Sequence, residues 1–138
     1  MAIQDRRITF VIERRPTSCD LNESMQWFGK SLGLFGNRDR DKSCYRIFVE
    51  LLKATKRDDP LSSDAIGFRL SLSRGTVMHH INVLMDRGLV ITRRNAYLLR
   101  TDTLDALLSE VERDFQAHMT KMREAAREMD KKLEGADS

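Results

Sequence analysis

The chain is 138 residues long, 41% hydrophobic and 33% charged, with a formal net charge of +3. That length is most simply one domain with a modest core. No apolar run approaches the roughly 20 residues that span a bilayer, and no signal-peptide apolar region opens the chain, so a soluble cytoplasmic protein with no membrane partner is expected.

Residues 1–19 read as an N-terminal arm or strand. Ile8, Phe10 and Ile12 alternate with other residues, as strand periodicity requires, and Arg14-Arg15-Pro16 breaks the pattern. Three placements stay open for it: pairing with a symmetry mate, packing along the domain edge, or a mobile arm. Asp20 is suited to cap a helix over about Leu21 to Leu32, with Leu21, Met25, Phe28 and Leu32 on one face and Trp27 beside them; Gly33 closes it. A polar loop of mixed sign spans Gly36 to Asp41. The next helix is predicted from Tyr45 to Thr55, with Ile47, Phe48, Leu51 and Leu52 inward. Pro60 ends that stretch, because a residue before proline avoids helical angles.

Leu61 to Val90 reads as two short helices and a tight connection. Ser62 or Ser63 caps the first, whose apolar face is Ala65, Ile66 and Leu70. The break falls at Ser71-Leu72-Ser73, and Ser73 caps the second. Val77, Ile81, Leu84 and Met85 recur at helical spacing there, and Gly88 ends it. The opposite face carries Arg74, Thr76, His79 and Asn82, with His80 beside them. These are hydrogen-bonding side chains rather than a Lys/Glu mixture, and a helix buried on one side with such a face on the other is what major-groove reading needs. Leu89 to Thr92 and Tyr97 to Arg100 then flank Arg93-Arg94-Asn95-Ala96, a β-hairpin in which Asn95 tolerates a left-handed turn position.

The final helix is predicted from a cap at Thr101 or Asp102 to about Leu133. Leu104, Leu108, Val111, Phe115, His118, Met122, Ala125 and Met129 form a heptad seam. About 30 residues at 1.5 Å each reach about 45 Å, more than a small domain covers, so a second chain is the expected cover. A homodimer interface is therefore assigned to Leu21, Met25, Phe28, Leu104, Leu108, Val111, Phe115, His118 and Met122.

The stretch Leu61-Ser62, Ile66-Gly67, Leu70, Leu72-Ser73, Thr76-Val77, His80-Ile81, Leu84 and Gly88-Leu89-Val90 resembles the helix-turn-helix of ArsR-like winged-helix transcription regulators, which border the MarR-like proteins. Phe35-Gly36-Asn37 and Tyr45 to Leu52 are similar to an upstream segment of the same family, with extra residues between the pieces. Ser71 stands where the family pattern has glycine. The resemblance covers about residues 20 to 120. It implies a mainly α-helical winged helix-turn-helix domain with a small β-hairpin, the wing, and a long C-terminal dimerisation helix. The expected organisation is an arm at 1–19, a DNA-binding domain at 20–100 and the dimerisation helix at 101–134.

Charge supports a polyanion contact in the middle of the chain. Residues 61–100 hold six arginines against Asp64 and Asp86, a balance of +4; residues 101–138 hold six basic and ten acidic side chains, a balance of −4. The candidate DNA contacts are Ser73, Arg74, Thr76, His79, His80, Asn82, Arg93, Arg94 and Asn95. Arg74 and Thr76 lie in the first turn, where base edges are met; His79 has a donor for a purine N7 or a phosphate; His80 fits either a packed role or a reading one. Arg93 and Arg94 suit phosphate or minor-groove contact.

Metal-sensing members of the family carry a cysteine pair before the reading helix or acidic and histidine ligands on the last helix. Residues 61–70 contain no cysteine, Cys19 and Cys44 have no CxxC partner, and His79 and His80 point about 100° apart on a helix of 3.6 residues per turn. Asp114 and His118 make one i, i+4 pair, but His118 lies on the seam and reads better as an interface histidine. The methionines of the last helix read as packing. No metal, cofactor or catalytic constellation is expected. The function expected is sequence-specific binding of double-stranded DNA by a homodimer on an inverted repeat, as a transcriptional regulator, a repressor by family resemblance. The alternative is a protein-interaction winged helix whose last helix binds a partner subunit.

Overall fold

A computed structural model describes residues 7–17, 20–34 and 42–136. Among these residues the chain forms α1 (Leu21–Ser31), α2 (Ser43–Lys56), α3 (Ser63–Leu70), α4 (Arg74–Asp86), β1 (Val90–Arg93), β2 (Ala96–Leu99) and α5 (Leu104–Ala136). It is mainly helical, with one small antiparallel hairpin and a long C-terminal helix. Cys19, Phe35, Gly36, Asn37 and the loop to Asp41 lie outside the described residues.

The α2 helix is the centre of the core. Ile47, Phe48, Leu51 and Ala54 are fully buried, and the helix packs against α3, α4 and β2. It starts at Ser43, two residues before the predicted Tyr45, with Ser43 itself buried. Gly29 of α1 is where Tyr45 crosses: a Cβ there would lie 2.9 Å from the tyrosine ring, so the absent side chain lets α1 and α2 approach. Burial raises the Tyr45 phenol above its ordinary pKa.

Local capping follows from the residue types. Asp20 accepts the N–H of Asn22 at the start of α1, and Gly33 ends the segment at φ +70°. Ser62 Oγ accepts the N–H of Ala65, and Ser73 Oγ accepts the N–H of Thr76. Each satisfies one of the orphan donors of a helix start. Between α3 and α4, Ser71 sits in the left-handed region at φ +56°, the conformation a glycine supplies without penalty. The connection keeps its shape at a local cost, and Arg46 supports it from α2 by donating to the carbonyl of Leu70 at 2.7 Å.

The hairpin pairs Val90 with Leu99 through Arg93 with Ala96. Arg93 and Ala96 therefore belong to the strands, and the turn shrinks from the predicted four residues to Arg94-Asn95. Both turn residues have positive φ, +53° and +63°, as a two-residue hairpin turn of the type that matches strand twist requires. Leu61 adds a short antiparallel bridge: its N–H and C=O bond to Tyr97 at 3.1 and 2.8 Å, tying the entry of α3 to the hairpin.

The start of α5 is capped by Thr103, whose Oγ1 accepts the N–H of Ala106, and not by Thr101 or Asp102. At 33 residues the helix is about 50 Å long. Leu107 and Val111 are buried against the core; nearly all of the helix beyond Phe115 is exposed.

Among the described residues, 7–17 form no ladder with another strand, so the predicted strand is irregular chain here. Of the three placements it takes the domain edge. The N–H of Arg7 donates to the carbonyl of Asp86, and that of Val11 to Ser31. Trp27 Nε1 donates to the carbonyl of Glu13, Lys30 pairs with the Glu13 carboxylate at 3.0 Å, and the rings of Phe10 and Phe115 meet edge to face at 6.3 Å.

Candidate functional site

The site begins with the two faces of α4. Val77, Ile81 and Leu84 have no exposed surface, which fixes the rotation of the helix about its axis. Arg74, His79 and Asn82 are consequently exposed, Thr76 and His80 are half-buried, and Gly75 and Asp86 complete the outward side. A Cβ at Gly75 would meet nothing within 4 Å, so the outer side of the N-terminal turn of α4 is open to solvent. Sequence reasoning did not single out Gly75; its signal is only its position one step from Arg74.

The candidate residues are not equivalent. Ser73 and Thr76 engage one another: the serine hydroxyl donates to Thr76 Oγ1 at 2.9 Å while accepting the Thr76 N–H at 3.2 Å. Their polar atoms serve the helix start first. The His79 and His80 rings meet edge to face with centroids 5.1 Å apart; His79 is the exposed member. The side chains free to reach outward are thus Arg74, His79 and Asn82.

The hairpin is tied to α4 through β2: the Tyr97 hydroxyl donates to Met78 Sδ at 3.7 Å, a link the sequence did not signal. Arg93, Arg94 and Asn95 are all exposed. Arg93 is paired with Asp58 at 3.0 Å, another partner that sequence alone left invisible because it comes from the end of α2.

The basic balance of residues 61–100 is therefore larger on paper than in space. Arg69 pairs with Glu50 at 3.2 Å. Arg87 donates to the carbonyls of Leu32, at 2.8 Å, and Gly33. Arg100 holds Asp114 at 2.6 Å and Glu110 at 2.9 Å. The hydrogen bond it donates to Asp114 raises the Arg100 guanidinium above its ordinary pKa, against the opposing effect of partial burial. Arg74 and Arg94 are the two arginines of this stretch with no ion pair or side-chain hydrogen bond among the described residues. Two acids of the C-terminal helix neutralise a base of the middle, so the middle and the tail are not independent charge blocks.

The apolar seam divides in the same way. Val111 is 4% exposed, spent on the chain's own core. Met25, Phe28 and Leu104 are half-buried against that core. Leu21, Leu108, Phe115 and Met122 remain exposed, as do Met129 and Leu133 beyond them. His118 is exposed as well. Asp114 accepts from Arg100, which points it at the hairpin end and not at His118. Among the described residues no three His, Cys, Asp or Glu side chains gather as a metal site would require, and no helix is long and apolar enough to cross a membrane.

No protein-family model matches the chain, and no curated protein matches it.

Proposed function

We propose that this chain is a winged helix-turn-helix regulator that binds double-stranded DNA sequence-specifically as a homodimer, in the cytoplasm, more in the manner of a repressor than an activator. The observation that carries the reading is the outward face of α4. Arg74, His79 and Asn82 are exposed opposite fully buried Val77, Ile81 and Leu84. A helix is narrow enough to enter the major groove, and arginine, histidine and asparagine are donors and acceptors suited to base edges. Arg94, exposed at the tip of a tight hairpin, supplies a charge for phosphate. Two copies related by a twofold axis would read an inverted repeat with half-sites about one helical turn, roughly 34–36 Å, apart.

The test is selection from a random duplex pool at stated salt, followed by binding of Arg74→Ala. Loss of about 1–3 kcal/mol on the selected site, and less on random duplex, is the expected result for a base contact. Equal losses on both would reduce Arg74 to a phosphate contact, and failure to select any sequence would overturn the proposal.

A second reading has one observation in its favour. Phe68, on the outer side of α3, is 88% exposed, a large aromatic ring turned away from the core. A protein-interaction winged helix, with Phe68 and α5 docking a partner subunit, would put it to use. Selection of a duplex by the isolated chain separates the two.

A further inference from the structure

The two ends of α4 are held very differently. The outer side of its N-terminal turn is open, with nothing within 4 Å of a Cβ at Gly75, while Val77 in the same turn is fully buried. Three separate ties converge on its C-terminal end. The backbone N–H of Arg7 donates to the carbonyl of Asp86. The Arg87 side chain crosses to the end of α1 and donates to the carbonyls of Leu32 and Gly33. Arg100, leaving the hairpin, donates to the carbonyl of Gly88 at 3.5 Å through its side chain and to that of Leu89 at 2.9 Å through its backbone N–H. The same Nη1 that reaches Gly88 donates to Asp114 at 2.6 Å, and Nη2 pairs with Glu110 at 2.9 Å, both on α5.

These contacts are built, not incidental. The side chains of Arg100, Glu110 and Asp114 are only 22–28% exposed, so water screens them less than a surface pair. Gly33, which ends α1 at φ +70°, leaves Arg87 room to reach it: a Cβ there would lie 2.8 Å from Arg87 Nη1. One tie leads to the N-terminal arm; the two made by arginine side chains lead to α1 and α5, which carry the exposed apolar residues Leu21, Leu108, Phe115 and Met122.

We infer that Arg87 and Arg100 are positioning residues that lock the angle of α4 to α1 and α5, and thereby set the half-site spacing the dimer accepts. The inference rests on the DNA-binding homodimer proposed above. A helix of 13 residues is about 20 Å long. Held on the core by Val77, Ile81 and Leu84, it turns with that core, and a rotation of about 10° against α1 and α5 carries its exposed N-terminal end about 3 Å, close to the 3.4 Å rise of one base pair. Loosening the clamp therefore spreads the spacing without touching a base-reading side chain.

The experiment offers the protein a duplex pool in which two copies of the selected half-site are separated by every spacing over one helical turn. The unmutated protein is expected to take one spacing. Arg100→Gln is expected to keep the half-site sequence but spread over neighbouring spacings, with affinity at the original spacing lower by about tenfold, the scale of one charged hydrogen bond. Arg100→Lys, which keeps the charge but not the fork, should fall between the two. Asp114→Asn reaches the same clamp from α5 should Arg100→Gln fail to fold, and the exposed Glu112→Gln serves as the neutral control. Folded Arg100→Gln or Asp114→Asn protein that keeps the single original spacing overturns the inference alone. An unmutated protein that selects no duplex overturns the function and the inference together, and is told apart because the failure appears without any mutation.

Discussion

Arg93 Nη2 of the hairpin lies 3.0 Å from Asp58 Oδ1 at the end of α2. Asp58 holds this position in the left-handed region, at φ +53°, so the acid is presented to the hairpin by the turn that ends α2. The two adjacent arginines of the tip therefore start from different states, one paired and one not.

The pair is largely exposed, 51% and 84% for the two side chains, and a pair of that kind is worth at most about 1 kcal/mol. Arg94→Ala is expected to reduce the slope of log K against log salt by about 1. Arg93→Ala is expected to reduce it by less, and Asp58→Asn to raise affinity for random duplex. Titrations at four salt concentrations measure all three; equal slopes for the two arginine variants would remove the role given to Asp58.

Ser71 occupies the left-handed region at φ +56° between α3 and α4. A residue with a Cβ is disfavoured there by roughly 1–2 kcal/mol, a cost partly returned because glycine is freer in the unfolded chain. Ser71→Gly is expected to stabilise the fold by about 0.5–1 kcal/mol net, read as a higher urea midpoint with an unchanged slope. A lower midpoint would mean that the serine side chain makes up the backbone cost.

The seam of α5 makes two predictions of opposite kind. Val111 is buried in the chain's own core and Leu108 is not. Val111→Glu places a charge in that core and is expected to unfold the domain, with loss of the helical dichroism. Leu108→Glu with Phe115→Glu is expected to leave the domain folded and monomeric, because neither side chain belongs to the core, although the second change also gives up the contact with Phe10. Sedimentation at micromolar concentration checks this, and a monomeric unmutated chain would remove the dimer.

Phe10 ties the arm to α5 through the Phe115 ring at 6.3 Å. An aromatic pair of this geometry is worth about 0.5–1.5 kcal/mol beyond its burial. Phe10→Ala should speed hydrogen exchange at the Val11 amide, which is bonded to Ser31, and leave the amides of α2 unchanged. Protection unchanged at Val11 would show that the backbone bonds and Trp27 hold the arm unaided.

Features legible in the sequence are local ones. Asp20, Ser62, Ser73, Gly33 and Gly88 mark helix ends, because capping depends on residues within four positions of one another. Ile47, Phe48, Leu51, Val77, Ile81 and Leu84 are the buried faces of α2 and α4, because a period of 3.6 puts them on one side whatever they pack against. The outward face of α4 follows from the same period, so Arg74, His79 and Asn82 can be picked out from spacing alone. Contacts that join distant stretches belong to the tertiary structure. Asp58 meets Arg93 across 35 residues, Arg87 meets Leu32 across 55, and Arg100 meets Asp114 by turning out of a hairpin into a helix. Each pairing removes an arginine from the basic stretch that counting credits to it. The heptad pattern likewise could not divide Val111, which faces the core, from Leu108 and Phe115, which do not. A helical stripe records which residues share a side, but where that side passes from the domain to solvent is set by where the core ends.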